Sequence, residues 1–264
     1  MPEILLNYRM TDADLPNRPI KTAVRVFELI NVVQGVEEAT FTNISKEVDM
    51  AESTLHDYLT TLVHVGYLSR NDRKYTLSLQ FLDHGIAARE TFSVYSKSKS
   101  TLKNLADESG AAVWLMVEEN GKAVYLSQEL GEDSIETHER LGKHEYMHCL
   151  ASGKVLLAFS SDKHVEEVVD QHGLPEKTSE SITTMEELRA ELSVIREQGY
   201  AVNHNEAAKG TSAVAAPIII DESVVGAVAI SAPVTRVDNE SFRNKLIELV
   251  STGSNEIELK MTYD

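Results

Sequence analysis

The sequence predicts an α+β protein with a small helical N-terminal unit and a larger C-terminal domain that contains an antiparallel sheet. Residues 18–78 show three short amphipathic helical patterns followed by two brief extended runs. Residues 94–264 alternate helical patterns with strand-like runs that meet at turn signals, which is typical of hairpin-rich α+β domains. We therefore expect two domains, with an N-terminal tail at 1–17 and a connecting helix at 79–93.

The composition is that of a globular protein. A chain of 264 residues with 42% hydrophobic content is long enough for two packed cores. No run approaches the roughly 20 apolar residues that span a bilayer, and the first residues carry acids where a signal peptide carries bases. We therefore expect a cytoplasmic protein that does not contact the membrane. The single cysteine, Cys149, excludes an internal disulfide and a four-thiolate zinc site.

The charge balance is unusual for a protein that binds nucleic acid. The chain carries 25 Lys and Arg against 42 Asp and Glu, a formal net charge of −17. Residues 18–78 nevertheless hold seven basic and eight acidic residues, so this part is almost neutral. The acids are spread over the rest of the chain, which favours an origin in a salt-loving organism. A DNA-binding unit at 18–78 remains compatible with this distribution.

The first three helical patterns suggest a helix-turn-helix. The first spans 21–35, with Phe27 on its apolar stripe and Gly35 as its stop. Thr42 or Asn43 is expected to cap the second helix, and Ser53 the third. The inward-facing positions of the third helix fall at i, i+3, i+4 and i+7 and are Leu55, Tyr58, Leu59 and Leu62.

The outer face of the third helix is polar and suits contacts with base edges and phosphates in a major groove. After it, the pair Asn71-Asp72 predicts a turn between two short strands that carry basic residues, which is the pattern of a wing. A plain helical bundle is the alternative. The candidate DNA-binding residues of this winged helix-turn-helix are Thr42, Ser53, Thr54, His56, Asp57, Thr60, Arg70, Arg73 and Lys74.

The segment 79–93 has apolar residues on one side and no proline, so it is predicted to be a linker helix that pairs with a second subunit. Packing of this side on its own domain is the alternative. A further helix is expected from about Tyr95 to Glu108, stopping at Gly110.

The C-terminal domain contains clear turn and cap signals. Asn120-Gly121 and Asp221-Glu222 each separate two strand-like runs, and the first pair is a strong hairpin signal. Thr184 and Glu187 have the spacing of a capping box, and Gly199 follows as a helix stop. Helical patterns are predicted at 152–159, 162–171, 185–198 and 238–262.

Two stretches resemble a known family. Residues 199–217 carry Gly-Tyr, an amide, Glu206, a glycine and a small-residue strand that ends at Pro217, and residues 141–158 carry a small-residue turn that leads into a helix. The sequence thereby resembles the IclR family of transcriptional regulators. The resemblance extends from about Lys21 to the last helix.

This resemblance implies a winged helix-turn-helix, a linker helix and a GAF-like effector-binding domain, assembled as a homodimer or a dimer of dimers. Its expected partners are a double-stranded DNA operator and a small-molecule metabolite, a carboxylate or a sugar-derived compound of a carbon-catabolic pathway. The resemblance implies no catalysis. The chain has neither a Walker A pattern nor a G-x-G-x-x-G fingerprint, so we expect no cofactor.

The effector contacts implied by the resemblance lie in three places. Ala151 and Ser152 would offer backbone N–H groups at a helix start, which suits a carboxylate. Asn203 would add a side-chain hydrogen bond. The other candidates would line the strands or the rim, and they are Trp114, Thr137, Ala213, Ala229 and Ser231.

The sequence departs from the family pattern at informative positions. Some relatives carry Asp in place of Asn203, Cys near Ala213 and Ser near Ala229, so this pocket has fewer polar partners. Relatives often carry Arg in place of Asp57, so the phosphate contact that this Arg would make is missing here.

Three other functions have some support in the sequence. A metal site can be assembled only from residues whose spacings match no compact motif: His138, His144, His148, Cys149 and His204. A hydrolase would use Cys149 or Ser152 as a nucleophile, yet neither has an identifiable base and orienting acid. The last alternative is a ligand sensor that acts through protein partners without touching DNA.

Overall fold

The computed structural model describes residues 18–134 and 139–263, which form two compact units that meet between Ala88 and Arg89. The boundary falls within the predicted linker segment 79–93. The candidate effector residue Thr137 lies outside the described residues.

The N-terminal unit is a winged helix-turn-helix, as predicted. Its elements are α1 (Lys21–Gly35), α2 (Phe41–Glu47), α3 (Glu52–His64), β1 (Leu68–Asn71), β2 (Lys74–Leu77) and α4 (Gln80–Glu90), the last of which crosses the boundary. Four side chains from the three helices, Leu29, Ile44, Leu55 and Leu59, are fully buried. These side chains pack with Tyr75 of the hairpin into one core, which orients the outer face of α3 toward solvent.

Both predicted helix caps in this unit are wrong. The Oγ1 atom of Thr40 accepts a hydrogen bond from the backbone N–H of Asn43 at 3.2 Å, so Thr40 caps α2 and Thr42 is already helical. Helix α3 begins after Ala51, which offers no side-chain cap, and Ser53 lies in its first turn. In both cases extended backbone gives way to helix before the residue that sequence favoured as the cap.

Two further details of this unit differ from expectation. Asn71 pairs with Lys74 in the hairpin, so the turn consists of Asp72, with a φ of 52°, and Arg73. The turn is thus one residue later than predicted. Phe27, expected on the apolar stripe of α1, is 54% exposed, because the core uses the neighbouring stripe of Leu29 and Val33.

The C-terminal unit is a six-stranded antiparallel sheet with helices on both faces. Its helices are α5 (Ser93–Ser109), α6 (Ala151–Ala158), α7 (Asp162–His172), α8 (Met185–Gln198), α9 (Val234–Val237) and α10 (Glu240–Tyr263). Its strands are β3 (Ala112–Glu119), β4 (Lys122–Leu130), β5 (His144–Tyr146), β6 (Ala201–His204), β7 (Thr211–Ile220) and β8 (Ser223–Pro233), in the order β5-β4-β3-β8-β7-β6. The predicted α+β class is confirmed, whereas the edge strands β5 and β6 were not predicted.

Alternation along the strands separates two cores. On β3, Leu115 packs into the core shared with α5 and α10, whereas Trp114 faces α6, α7 and α8 on the other side. On β8, Ile230 and Ala229 divide in the same way. Successive strand residues point to opposite faces, so a sheet covered on both sides needs nearly continuous apolar strands. The side that packs on α6 contains the candidate effector residues.

The local signals of this unit act as the sequence predicted. Asn120 and Gly121 have φ values of 53° and 74°, which the two-residue turn of a hairpin requires. The Oγ1 atom of Thr184 accepts from the backbone N–H of Glu187 at 3.2 Å and donates to its Oε2 at 2.8 Å. Gly199, with a φ of 78°, terminates α8.

Replacing Thr184 with alanine removes both of these hydrogen bonds and leaves the first turn of α8 uncapped. We expect Thr184→Ala to lower the free energy of unfolding by about 1 kcal/mol. Thr183→Ala is the matched control, because the neighbouring Thr183 is exposed and lies outside the cap. Chemical denaturation of the full chain measures both variants, and equal losses would show that the cap contributes nothing.

Candidate functional sites

A cavity of about 90 Å³ lies between the sheet and the start of α6. Seven of the eight residues proposed from sequence for the effector site line it, and these are Trp114, Ala151, Ser152, Asn203, Ala213, Ala229 and Ser231. Residues that sequence reasoning missed also line it, among them Tyr125, Glu139, Leu150, Thr211 and Ser212.

Strand register explains why residues so distant in sequence meet here. Asn203 pairs with Ala213, and Ala213 pairs with Ser231 on the next strand. Two residues before Ser231, on the same face of β8, Ala229 pairs with Trp114 of β3. The floor of the cavity thus consists largely of small side chains that stand side by side on one face, and their small size leaves the open volume.

The start of α6 forms the opposite wall. A 3₁₀ turn, Met147–Cys149, leads into Leu150, whose side chain does not cap the helix. The first N–H groups of a helix have no partner within it, so those of Ala151 and Ser152 suit an anion. Gly153 permits this arrangement, because a Cβ atom there would lie 2.3 Å from the carbonyl oxygen of Met147.

Two polar side chains of the cavity already have protein partners. Asn203 donates a hydrogen bond from Nδ2 to the carbonyl oxygen of Cys149, and its Oδ1 accepts from the backbone N–H of Glu206 at 3.3 Å. The indole N–H of Trp114 donates to Oγ of Ser231 at 3.0 Å. Asn203 therefore joins β6 to the turn before α6, in addition to lining the cavity.

Lys154 forms a buried ionic cluster at the base of α6. Its Nζ donates to Oε1 of Glu191 at 2.8 Å, to Oε1 of Glu206 at 2.9 Å and to the carbonyl oxygen of Val202 at 2.9 Å. Burial raises the pKa of Glu206, while the charge of Lys154 opposes this shift. Sequence reasoning overlooked this cluster, although a charged residue within the otherwise apolar helix Ala151–Ala158 was a signal for it.

A phenol and a carboxylate contribute further polar groups to the cavity. Burial first, and then the negative charge of Glu139, raise the pKa of Tyr125 well above its usual range. The ring of Tyr125 contacts that of Trp114 edge to face, with 4.9 Å between centroids. Glu139 also accepts a hydrogen bond from Nζ of Lys143 at 2.9 Å. These groups come from loops and neighbouring strands, so no local sequence motif predicts that they line the cavity.

Cys149 and His148, two of the residues that the sequence offered for catalysis or metal binding, have other partners, and His138 lies outside the described residues. The Sγ atom of Cys149 donates to the carbonyl oxygen of Tyr146 at 3.3 Å, and burial raises the pKa of the Cys149 thiol to about 12. Nε2 of His148 contacts the carbonyl oxygen of Pro175 at 3.1 Å, and His148 lies in the 3₁₀ turn, where an extended segment was expected. Within 18–134 and 139–263, no group of three or more His, Cys, Asp and Glu residues is arranged to hold a metal ion.

In the N-terminal unit, helix α3 exposes a continuous polar stripe at helical spacing. Its members are Ser53, His56, Asp57, Thr60, Thr61 and His64. The candidate Thr54 is half-buried beside this stripe, and Thr42 is exposed on α2. Helix α3 contains no lysine or arginine. The side chain of Asp57 is 86% exposed, with its Oδ1 atom 3.9 Å from Nδ1 of His56.

The wing carries the three predicted basic residues. Arg70 interacts within the wing, and Lys74 interacts with the loop between α1 and α2. Nε of Arg70 donates to the carbonyl oxygen of Asp72 at 3.1 Å, and its guanidinium lies 5.5 Å from the ring centre of Tyr75. Lys74 forms an ion pair with Glu38. Arg73 is exposed in the turn itself.

Comparison with known proteins identifies the family. The family model described as "Bacterial transcriptional regulator IclR C-terminal" matches residues 87–259 of this chain. The model described as "IclR helix-turn-helix domain" matches residues 22–72. The chain belongs to the IclR family. As members of this family do, it combines a DNA-binding unit with an effector-binding domain and regulates transcription.

Individual relatives agree with this assignment. The probable HTH-type transcriptional regulator ArcR of Halobacterium salinarum is 29% identical over 92% of this chain and 95% of its own. The crystal structure of the IclR protein of Thermotoga maritima superposes with a TM-score of 0.77, at 26% identity over 93% of this chain and 100% of its own. The crystal structure of an IclR homologue from Microbacterium hydrocarbonoxydans, complexed with 4-hydroxybenzoate, has a TM-score of 0.76. Its identity is 21% over 91% of this chain and 98% of its own.

The Halobacterium relative is named a probable transcriptional regulator, and the family model that matches the C-terminal unit describes bacterial transcriptional regulators. None of the helices within the described residues is both long and apolar enough to cross a membrane.

The raised pKa of Cys149 gives a simple chemical prediction. Because the thiolate is the reactive form, the native protein should not react with a disulfide reagent such as Ellman's reagent at pH 8. In guanidinium chloride the same chain should release one equivalent of the coloured product. The folded pKa lies above the unfolded value of 9.0, so ionisation should destabilise the fold as the pH rises above about 9. Rapid labelling of the native chain would contradict this description of Cys149.

Proposed function

We propose that the cavity binds a small carboxylate effector, with the carboxylate at the first turn of α6. The observation that carries this proposal is the convergence of Ala151, Ser152, Asn203 and the small side chains of the floor on one cavity. Backbone N–H groups at a helix start favour an anion. The homologue complexed with 4-hydroxybenzoate, a carboxylic acid, is consistent with this chemistry.

The volume of the cavity restricts the effector. A protein cavity of about 150 Å³ holds a benzene molecule, and water occupies about 30 Å³ in the liquid. A space of about 90 Å³ therefore suits a short-chain acid with a few heavy atoms. We accordingly favour a short carboxylate over a larger sugar-derived compound.

A cavity-filling substitution tests this proposal. Ala213→Leu adds three carbon atoms to the floor, so it should abolish the rise in melting temperature that short carboxylates cause in the wild-type chain. A panel of glycolate, glyoxylate, lactate and pyruvate provides the ligands. Ala190→Leu, an exposed position on α8, is the matched control and should keep the full rise. If Ala213→Leu keeps the wild-type response, the effector binds elsewhere.

We further propose that the stripe of α3 reads the operator in a major groove and that the wing contacts the backbone. The residues proposed for this interface are those of α2 and α3 (Thr42, Ser53, Thr54, His56, Asp57 and Thr60) and of the wing (Arg70, Arg73 and Lys74). The exposure of the stripe supports this role. The acidic remainder of the chain implies that specific contacts matter more than general attraction to DNA.

The proposed interface should show a weak dependence on salt. Each phosphate contact contributes about −0.9 to the slope of log K against log salt concentration. The proposed contacts include three wing cations in each subunit and none from α3, which gives a slope of about −3 per subunit. Filter binding or fluorescence anisotropy on a duplex selected from a randomised library measures this slope. A value typical of six to ten phosphate contacts per subunit would contradict the proposed interface.

A homodimer would join two such readers, and we propose that α4 contributes to its interface. No residue of α4 is buried, and Leu79, Leu82 and Ile86 are 80%, 58% and 38% exposed. The other side of α4 packs within its own unit, where the ring of Phe81 meets that of Tyr67 at 5.3 Å. The two reading helices must be spaced to match the DNA repeat, so two arrangements of the dimer would differ in their affinity for DNA. An effector that binds one arrangement more tightly than the other would then control DNA binding.

A further inference from the structure

Helix α3 exposes acidic side chains where a DNA-reading helix usually exposes basic side chains. Its sequence contains Glu52 and Asp57 and no lysine or arginine. The Asp57 side chain is 86% exposed near the middle of the polar stripe. The buried residues Leu55 and Leu59 fix the opposite side of the helix in the core, so the Asp57 carboxylate projects from the outer face.

Contact with DNA imposes a strict chemical condition on this carboxylate. Phosphate groups repel it, and a carboxylate that loses water on binding must receive a hydrogen bond in return. In the major groove, the base edges offer only two donors, the N4 amino group of cytosine and the N6 amino group of adenine. Adenine places its N7 acceptor beside that donor, which disfavours a second acceptor. Cytosine has no acceptor at the equivalent place.

We propose that Asp57 is a specificity-determining residue that accepts a hydrogen bond from the N4 amino group of a cytosine in each half-site. This inference rests on the proposed role of α3 as the reading helix. The competing role is indirect, because Oδ1 of Asp57 lies 3.9 Å from Nδ1 of His56 and Asp57 can orient that ring. His56 is 62% exposed on the same stripe, so it would then contact the base itself.

Selection of binding sites from a randomised duplex library tests the proposal with the full-length chain at one fixed salt concentration. The wild-type chain should select a motif with one invariant cytosine in each half-site. Substituting that base pair should weaken binding roughly tenfold or more. Asp57→Asn offers a donor and an acceptor together, which match N7 and N6 of adenine. This variant should therefore replace the cytosine by adenine and leave the other positions unchanged.

Two further variants separate direct reading from other effects. Glu28→Gln removes the same charge from an exposed position on α1, so it should keep the wild-type motif. His56→Ala should keep the cytosine, because Asp57 contacts it directly. All three substituted positions are exposed, and circular dichroism melting curves should match that of the wild-type chain.

Three results would overturn the proposal. An Asp57→Asn chain that still selects cytosine shows that the carboxylate does not read the base. A His56→Ala chain that loses the cytosine assigns the contact to His56. A wild-type chain that selects no motif overturns both the role of α3 as reader and the role of Asp57. A clear motif that stays unchanged when Asp57 is substituted overturns only the role of Asp57.

Discussion

Lys154 brings its ammonium group into the interior between α6, α8 and β6, where two carboxylates and a backbone carbonyl surround it. A buried charge of this kind needs hydrogen-bonded partners, and losing one partner typically costs about 3–5 kcal/mol. The cluster therefore fixes the start of α6 relative to the edge strand. Asn203 adds a second link between the same elements through the carbonyl of Cys149. The wall and the floor of the cavity are thus held together by polar contacts behind it.

Sequence predicted much of this architecture because its signals are local. The Asn120-Gly121 turn, the Thr184 cap and the Gly199 stop each depend on a few neighbouring residues. The edge strands escaped prediction because segments as short as His144–Tyr146 and Ala201–His204 carry no periodicity. The α2 cap was misplaced because Thr40, Thr42 and Asn43 are all good cap residues, and only the backbone decides among them.

The lining of the cavity was predicted in part and for a different reason. Position-by-position resemblance supplied Asn203, Ser231 and their neighbours, and strand register then brought them to one cavity. Tyr125 and Glu139 could not be found in this way, because their proximity arises from tertiary packing between separate segments. Lys154 was hidden for a similar reason, since lysine is rarely buried and its partners lie 37 and 52 residues away.

The alanine floor of the cavity has a consequence for how such a regulator can change during evolution. Ala213 and Ala229 sit on rigid, fully paired strands, so one added methyl or hydroxyl group alters the volume and polarity of the space without moving the backbone. The recognition of an acid by backbone N–H groups would persist through such changes, because no side chain supplies it. Under the proposed function, single substitutions at these positions would therefore change the preferred metabolite, while the DNA-reading unit would stay the same.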